Sequence, residues 1–184
     1  MKRVHIDQIR TFAQILGLNN KIGLKRSSYN PYGKYFQIQF GNVVLYRFLQ
    51  TIGLTPNKTK TLGSLEIPDR YFADFLRGHL DGDGCTYSYF DPRWKNSFMF
   101  YTVFVSASKK HLDWIKDRIK KLYNVEGRIT NHRAIFHLRY AKRSSLVILG
   151  RVYYKDNLPC LQRKRSKIMT ALDIINKQAG MLEW

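Results

Sequence analysis

The chain has few acidic residues, little cysteine and no long apolar run. Only 13 of its 184 residues are Asp or Glu, against 32 Lys or Arg. Its two cysteines, Cys85 and Cys160, lack metal-site spacing and do not indicate a disulfide framework. No run approaches the roughly 20 apolar residues of a membrane span, and the start MKRVHIDQIR lacks a signal peptide's apolar core. We therefore expect an intracellular protein, in the cytoplasm and nucleoid or an organelle matrix, that is neither secreted nor membrane-inserted.

The chain carries a strong positive charge. A formal net charge of +19 favours a polyanionic partner, which is either nucleic acid or an anionic membrane surface. Hydrophobic residues make up 44% of the chain and aromatic residues 14%, so the composition is that of a folded protein and not of a disordered basic tail. Nucleic acid is the leading partner. A ribosomal-type or other generic basic protein is the alternative.

The pattern of apolar residues predicts the same group of elements twice. Residues 5–18 have the spacing of an amphipathic helix, residues 21–41 form two strands around an Asn-Pro-Tyr-Gly turn, and residues 43–52 form a second helix. Helix, strand pair and helix return in SKKHLDWIKDRIKKLY, EGRITNHRAIFHLRY and SSLVILGRVYY. Each copy ends in a basic run after a proline, TPNKTKTL and LPCLQRKRSKI. We interpret this as a diverged internal duplication.

The second copy has elements that the first copy lacks. A helix ending in FLRGHLDGDG and a long strand pair, CTYSYF and SFMFYTVFVSAS, precede it. The complete unit is helix, two strands, helix, two strands, helix, with a terminal helical segment near residues 162–178. We therefore divide the chain into a partial first repeat, residues 1–66, and a complete repeat, residues 67–184.

Two of the few acids, Asp81 and Asp83, stand between glycines where the first helix of the complete repeat ends. The C-terminus of a helix is its negative end, so carboxylates are disfavoured there and a positive group is expected nearby. An EF-hand calcium loop is excluded, because Cys85 and Thr86 occupy a ligand position and the required glycine. A plain Asp-Gly turn remains an alternative on spacing alone.

FLRGHLDGDG resembles the signature helix of the LAGLIDADG homing endonucleases. Six residues fall on the pattern, namely Leu76, Gly78, Leu80, Asp81, Asp83 and Gly84. Arg77 and His79 depart from its small and apolar residues. The order of elements after the motif also resembles that family, and the resemblance covers essentially the whole chain. It implies an α+β fold, with an antiparallel sheet forming a saddle over DNA and helices on its other face.

The resemblance also implies roles for the motif residues. Two motif helices pack face to face through small residues, here Gly78 and Gly82. The last acid of each motif, here Asp83, ligates a divalent cation above the DNA, Mg²⁺ or Mn²⁺. Asp81 supports the helix end. Magnesium needs few carboxylates when phosphates and waters complete its shell, and a bound cation would offset the repulsion between Asp83 and the helix end.

A basic residue near the scissile phosphate is the other catalytic group that the resemblance implies. Lys164 matches its position best, and Lys58 is the counterpart in the first repeat. Either would stabilise charge that develops on the phosphate. Arg163 or Lys167 can equally be that cation, and each lysine can instead be a solvated contact to backbone phosphate.

Alternation along the strands selects the side chains that would face DNA. The strand positions are Lys25, Gln37, Gln39, Thr86, Ser88, Arg128, Thr130, His137 and Arg139. Arginine and glutamine suit base edges in the major groove, whereas Arg93 and Lys95 in the turn between the long strands suit phosphates. A merely solvated strand face is the alternative for each. Four aromatics are assigned mainly to the core, Phe98, Phe100, Tyr101 and Phe104, and no chemistry is assigned to His5, His111 or His132.

The missing first motif leaves the function open between two classes. The chain can pair with itself, can need a complementing chain that supplies a second motif helix, or can be a decayed copy. One hypothesis is a metal-dependent, site-specific endonuclease, of the kind linked to intron or intein mobility, that makes a staggered double-strand break. The other is a non-cleaving nucleic-acid binder on the same scaffold, such as an intron maturase. Retention of Asp83 favours the endonuclease, because pure binding has no use for an acid near phosphate.

Overall fold

The computed structural model of the protein describes residues 6–26 and 34–180. Its first part contains two helices and two strands in the predicted order: α1 (Ile6–Ile15), β1 (Gly23–Arg26), β2 (Lys34–Gln37) and α2 (Val43–Thr51). Asn42 caps α2, since its side-chain oxygen accepts a hydrogen bond from the Leu45 amide at 2.9 Å. The predicted turn at residues 30–33 lies outside the described residues, as does His5.

Two elements of this part are shorter than predicted. α1 ends at Ile15 because Gly17, at φ +61°, turns the chain, and the amide of Leu18 bonds back to the carbonyl of Ala13 at 2.8 Å. β2 ends at Gln37, although the alternation of apolar residues continues to Phe40. Gln39 therefore lies beyond the strand.

The second part contains the complete predicted unit. A short 3₁₀ turn (Asp69–Tyr71) leads into the motif helix α3 (Phe72–Gly82). The remaining elements are β3 (Cys85–Phe90), β4 (Phe98–Ser106), α4 (Lys109–Tyr123), β5 (Arg128–His132), β6 (Ile135–Tyr140), α5 (Lys142–Val152) and α6 (Gln162–Gly180). The α+β class and the order helix, two strands, helix, two strands, helix are confirmed.

Four strands of this part form one antiparallel sheet in the order β3-β4-β6-β5, while β1 and β2 form a separate two-stranded sheet. Residues opposite each other in adjacent antiparallel strands share a face. Phe100 is buried and faces Ser88, and buried Phe104 faces buried Leu138. These pairs mark the face covered by helices, and we call the opposite side the open face.

The hydrophobic core lies between the covered face of this sheet and helices α3 to α6. Its fully buried members include Phe72, Leu76, Leu80, Phe100, Phe104, Leu112, Ile115, Ile119, Leu138, Tyr140, Ile148 and Ile168. In contrast, α1 buries only Ala13 and α2 buries no residue. The second part is therefore a packed unit, and the helices of the first part add almost nothing to its core.

Residues 62–67 connect the two parts and lie along α4. The Nδ1 atom of His111 is 2.8 Å from the carbonyl oxygen of Gly63, and the Arg118 guanidinium donates to the carbonyl of Ile67 at 2.9 Å. The division into residues 1–66 and 67–184 stays a prediction. Among the described helices, none combines the length and the apolar character needed to cross a membrane.

Candidate functional site

The motif helix ends at the acid that the resemblance assigns to a metal. Asp83 is the C-cap residue of α3, its backbone amide bonds to the carbonyl of His79 at 3.1 Å, and its side chain is exposed. It lines a cavity of about 770 Å³ together with Gly78, His79 and Lys58. The structure thus brings Asp83 and Lys58, two of the three predicted catalytic residues, to one cavity.

The third predicted catalytic residue, Lys164, binds backbone carbonyl groups at the end of α3. Its Nζ lies 2.7 Å from the carbonyl oxygen of Leu80, 2.8 Å from that of Asp81 and 2.7 Å from that of Gly84. A lysine ammonium has three N–H donors, so all three are used at the end of α3. Lys164 therefore has no donor left for a phosphate, and the sequence-based catalytic role is corrected to a cap on the motif helix. Burial lowers its pKa.

Asp81, on α3, binds the start of α6. Its Oδ2 accepts a hydrogen bond from the amide of Leu161, the residue just before α6, at 2.9 Å. The carboxylate is buried, and this burial raises its pKa, although the bond from Leu161 and the charge of Lys164 act against the rise. The prediction placed Asp81 in support of its own helix end. The structure shows that its carboxylate caps the start of α6 instead.

The alternative cations around α6 differ in their contacts. Lys167 Nζ donates to the carbonyl of Thr86 at 2.7 Å, which ties α6 to the beginning of β3. Arg163 is exposed. Lys58, the predicted counterpart of Lys164, lies in a turn, where its carbonyl accepts a hydrogen bond from the amide of Leu62 at 2.8 Å. Of these cations, Lys58 is the one that shares the cavity of Asp83.

The glycine face of α3 is open. A Cβ atom at Gly78 would meet no atom of the described residues within 4 Å, and one at Gly82 would meet only the Gln8 side chain, at 4.0 Å. Gly84 is different, because a Cβ there would lie 2.8 Å from the Cα of Leu80. The two predicted packing glycines therefore leave room for another helix, whereas Gly84 is required by the turn into β3.

His79 is a site residue that the sequence analysis missed. It follows Gly78 on α3, lines the cavity of Asp83, and its ring centroid is 5.6 Å from that of His111. Burial, and then the neighbouring His111, lower the pKa of His79 to about 4, although Asp83 acts in the opposite direction. The signal in the sequence was the departure from the motif pattern, a polar ring where that pattern has a small or apolar residue.

Two residues that were predicted to contact DNA lie on the covered face of the sheet. Thr86 lies opposite buried Thr102, and Ser88 lies opposite buried Phe100. Both side chains therefore lie on the covered face of the sheet, and their assignment to DNA is wrong. The residues of β3 on the open face are Cys85, Tyr87 and Tyr89.

Three tyrosines and an arginine line this part of the open face. The ring centroids of Tyr87 and Tyr101 are 5.0 Å apart, and those of Tyr89 and Tyr101 are 6.3 Å apart. The guanidinium carbon of Arg139 is 5.9 Å from the ring centroids of both Tyr87 and Tyr101. Tyr101 is thus an open-face residue, and its assignment to the core is corrected. The other three predicted core aromatics, Phe98, Phe100 and Phe104, are buried.

The remaining predicted strand contacts lie on one side of each sheet. Arg128 is opposite Arg139 and Thr130 is opposite His137, so these four residues share the open face. His132 lies next to His137, with ring centroids 4.6 Å apart. In the small sheet, Lys25 faces Tyr35 and Gln37 faces Gly23, which places Lys25 and Gln37 on the same side.

The turn between β3 and β4 presents Arg93, Trp94 and Lys95. The Arg93 guanidinium forms an ion pair with Asp91 at 2.8 Å, and its hydrogen bonds lower the pKa of Asp91 to about 2. The Arg93 side chain is nevertheless 79% exposed, and Lys95 is exposed too. Both cations remain accessible at the tip of the turn, where Trp94 is 70% exposed.

The described residues can supply part of a divalent cation site. Asp83 is an exposed carboxylate, the oxygen ligand that Mg²⁺ and Mn²⁺ prefer. Within residues 6–26 and 34–180, no three His, Cys, Asp or Glu side chains are grouped so that they can hold a metal ion. The Asp83 carboxylate therefore fits a divalent cation as one ligand, and further ligands would have to come from phosphate, water or a second motif helix.

Comparisons with known proteins find similarity at the level of solved structures, and two of these structures are described here. No family model matches the chain, and no curated protein matches it. The chain is similar to the N-terminal LAGLIDADG domain of DUF199/WhiA, with 14% identity and a TM-score of 0.49 over 82% of this chain and 66% of that one. It is also similar to the homing endonuclease I-TnaI, with 21% identity and a TM-score of 0.40 over 59% of this chain and 72% of that one. The resemblance to the family continues to rest on the motif and on the order of elements.

Proposed function

We propose that this protein binds double-stranded DNA on the open face of its four-stranded sheet and is one half of a metal-dependent endonuclease of the LAGLIDADG homing type. The observation that carries the proposal is the position of Asp83. This carboxylate is exposed at the end of the motif helix and shares a cavity with Lys58. In a chain of net charge +19, an exposed acid in this place has no value for DNA binding alone.

The cations and polar side chains of the open face and of the turn between β3 and β4 suit a phosphodiester substrate. Arg128 and Arg139 lie on the open face with Thr130 and His137, and Arg93 and Lys95 lie in the turn between β3 and β4. The arginines are suited to guanine edges or phosphates, and the exposed turn cations to phosphates. Lys58, which lines the same cavity as Asp83, would stabilise charge on a phosphate bound there. A divalent cation, when bound, would polarise the scissile phosphate and help to deprotonate water.

The non-cleaving binder remains a second candidate because of one specific observation. Among the described residues, Asp83 is the one carboxylate that lines the cavity of the candidate site. A complete site would need a second motif helix, packed against the side of α3 that carries Gly78 and Gly82. Without that helix, the same sheet would bind nucleic acid and would not cut it.

Cleavage of a randomised duplex DNA library with Mg²⁺ or Mn²⁺, run beside Asp83→Asn, tests the proposal. Discrete new ends with the wild-type chain only would support the endonuclease and reveal its site. Ends produced equally by both chains would remove Asp83 from the mechanism. Selective capture of one sequence by both chains, without ends, would favour the binder, and retention of DNA that does not weaken with added salt would exclude both candidates.

A further inference from the structure

The open face of the four-stranded sheet has two halves with different chemistry. On β5 and β6 it carries Arg128, Thr130, His137 and Arg139, which are cationic or can form hydrogen bonds. On β3 and the part of β4 that pairs with it, no charged or amide side chain lies on this face, and the residues are Cys85, Tyr87, Tyr89, Met99, Tyr101 and Val103. The polar half suits the base edges and phosphates of a duplex. The aromatic half requires a separate explanation.

A fully paired duplex offers little for the aromatic half to bind. In a duplex each base is stacked between its neighbours, so a protein reaches base edges through the grooves, mainly by hydrogen bonds and by contact with the thymine methyl group. Unpaired bases expose their flat faces instead, and aromatic side chains bind these faces by stacking, whatever the base. The tyrosines are therefore better suited to unpaired bases than to a duplex.

The three tyrosine rings form one nearly parallel row. Tyr101 stacks with Tyr87 at a centroid distance of 5.0 Å and an interplanar angle of 21°, and with Tyr89 at 6.3 Å and 17°. The Arg139 guanidinium lies beside Tyr87 and Tyr101, 5.9 Å from each ring centroid. Tyr89 is at the other end of the row, where Tyr101 is the one ring of the described residues that stacks with it.

Packing within the sheet does not use the whole Tyr89 side chain. Tyr89 is 45% exposed, whereas Phe100, on the covered face, is 1% exposed. A cross-strand aromatic pair stabilises a sheet through the surfaces that touch, which accounts for the contact between Tyr89 and Tyr101. The exposed part of the Tyr89 ring remains available to a base that would extend the row.

The tyrosine hydroxyls are compatible with a polyanionic ligand. Burial raises the pKa of both Tyr87 and Tyr101 above the usual value of about 10, so both phenols are neutral at pH 7. A neutral phenol does not repel phosphate, and its O–H group can donate a hydrogen bond to a base or a phosphate oxygen.

The turn after β3 places two cations and an exposed indole at the Tyr89 end of the row. The indole of Trp94 is 70% exposed, and the Trp94 amide donates to the carbonyl of Asp91 at 3.0 Å. Gln178 of α6 donates to the carbonyl of Asn96 at 2.9 Å and so ties the turn to the helices. A fixed aromatic ring between two cations suits a nucleotide strand, because cations bind phosphates while the ring stacks on a base.

We propose that the β3–β4 half of the open face binds single-stranded nucleic acid, with one unpaired base stacked on Tyr89. Arg93 and Lys95 bind the adjoining phosphates, and Trp94 stacks on a further base of the same strand. The shared chemistry is the face of an unpaired base, which single-stranded DNA or RNA can supply. The inference rests on the proposed function in one respect, since both use the open face, and it adds a second kind of ligand to that face.

The fluorescence of 2-aminopurine, a base analogue that is quenched when it stacks, tests the proposal. One short sequence containing the analogue is titrated with the protein as single-stranded DNA, as single-stranded RNA and as a fully paired DNA duplex. We expect quenching on binding of a single strand, and the strand that binds more tightly identifies DNA or RNA as the source of the base. This measurement uses the unaltered chain, so it does not depend on the folding of a variant.

Two substitutions at Tyr89 separate stacking from general affinity. Tyr89→Leu keeps an apolar side chain but removes the ring, and should weaken single-strand binding at least about fivefold more than duplex binding. Tyr89→Phe is the matched control, because it keeps the ring and should retain the affinity for single strands.

Three results would overturn the proposal. One is binding of both single strands without quenching. Another is a loss of single-strand and duplex affinity by the same factor in Tyr89→Leu, and the last is Tyr89→Phe as damaging as Tyr89→Leu. Duplex binding together with unquenched single strands would remove this inference and leave the proposed function intact. Quenched single strands without any duplex binding would do the reverse.

Discussion

Asp81 and Lys164 each bind the end of the other's helix. The Asp81 carboxylate accepts the Leu161 amide at the start of α6, and the Lys164 ammonium binds three carbonyl oxygens at the end of α3, including that of Asp81 at 2.8 Å. A negative group therefore meets the positive end of one helix, and a positive group meets the negative end of the other. This exchange is why acids are tolerated at the C-terminus of α3, and it holds Asp83 in place.

Replacing Lys164 should cost stability more than it alters any chemical step. Lys164→Met keeps the length of the side chain but leaves three helix-end carbonyls without their donor, so we expect a loss of about 2–3 kcal/mol. Lys167→Met is the matched control, because it removes one contact, to the carbonyl of Thr86, and should cost about 1 kcal/mol. Urea unfolding measures both. Unchanged stability of Lys164→Met together with lost cleavage would return Lys164 to a catalytic role.

His79 should make the fold sensitive to mild acid. Its pKa is about 4 in the folded protein against a usual value of 6.5, so on acidification the unfolded chain takes up the proton first. The stability that the neutral ring contributes is complete above pH 6.5 and is lost as the pH falls from 6.5 to 4. At about 1.4 kcal/mol per pKa unit, the loss is on the order of 3 kcal/mol.

The variant that tests this effect is His79→Leu. His79→Leu should flatten the curve of unfolding free energy between pH 6.5 and 4. Burial also lowers the pKa of His111, which leaves a smaller slope of the same sign. A steep curve that survives His79→Leu would assign the acid sensitivity to other groups.

The two faces of the sheet should respond differently to substitution. Arg139→Gln and Arg128→Gln, on the open face, should each weaken DNA binding by about 1–3 kcal/mol if the guanidinium binds a base edge. If it binds only phosphate, the loss should be similar for all sequences, with a salt slope reduced by about 1. Ser88→Ala, on the covered face, should leave affinity unchanged. Titration of labelled duplex at several salt concentrations measures all three, and a loss on Ser88→Ala alone would reverse our assignment of the faces.

The glycines of the motif should divide into two classes. Gly78→Ala places a methyl group in open space and replaces a helical glycine, so the chain should become more stable by up to about 1 kcal/mol. Gly84→Ala should be destabilising, because its Cβ would lie 2.8 Å from Leu80 Cα and 3.0 Å from the carbonyl oxygen of Val103. Thermal unfolding distinguishes the two. Equal destabilisation by both would mean that the Gly78 face is already filled in the free chain.

Periodicity was sufficient for most elements because each helix or strand has an apolar side that must be buried. The repeated order of helix, strand pair and helix, and the position of the motif helix, were predicted on this basis and are confirmed. The predicted ends were less accurate. α1 ends at Ile15 because of the left-handed conformation of Gly17, and β2 ends before its alternating pattern does.

The orientation of β3 shows that alternation alone does not predict which side chains lie on the open face of the sheet. In CTYSYF, polar and aromatic residues alternate, and assigning the polar ones to DNA reversed the strand. The buried neighbours Thr102 and Phe100 of β4 put Thr86 and Ser88 on the covered face. Only the register between strands decides this, because a period of two marks two faces without saying which one meets the helices.

The sequence by itself determined the positive charge, the repeated order of elements and the acid at the end of the motif helix, because these depend on residue type and on spacing along the chain. The tertiary structure decided which cation is available near that acid. Lys164 and Lys58 each lie in the basic run after a proline, one in each repeat. However, α6 brings Lys164 onto three carbonyls, while Lys58 lines the cavity of Asp83. Whether a lysine is free to bind a phosphate depends on which acceptors other segments bring within hydrogen-bonding distance. The spacing of residues along one segment does not predict these long-range contacts.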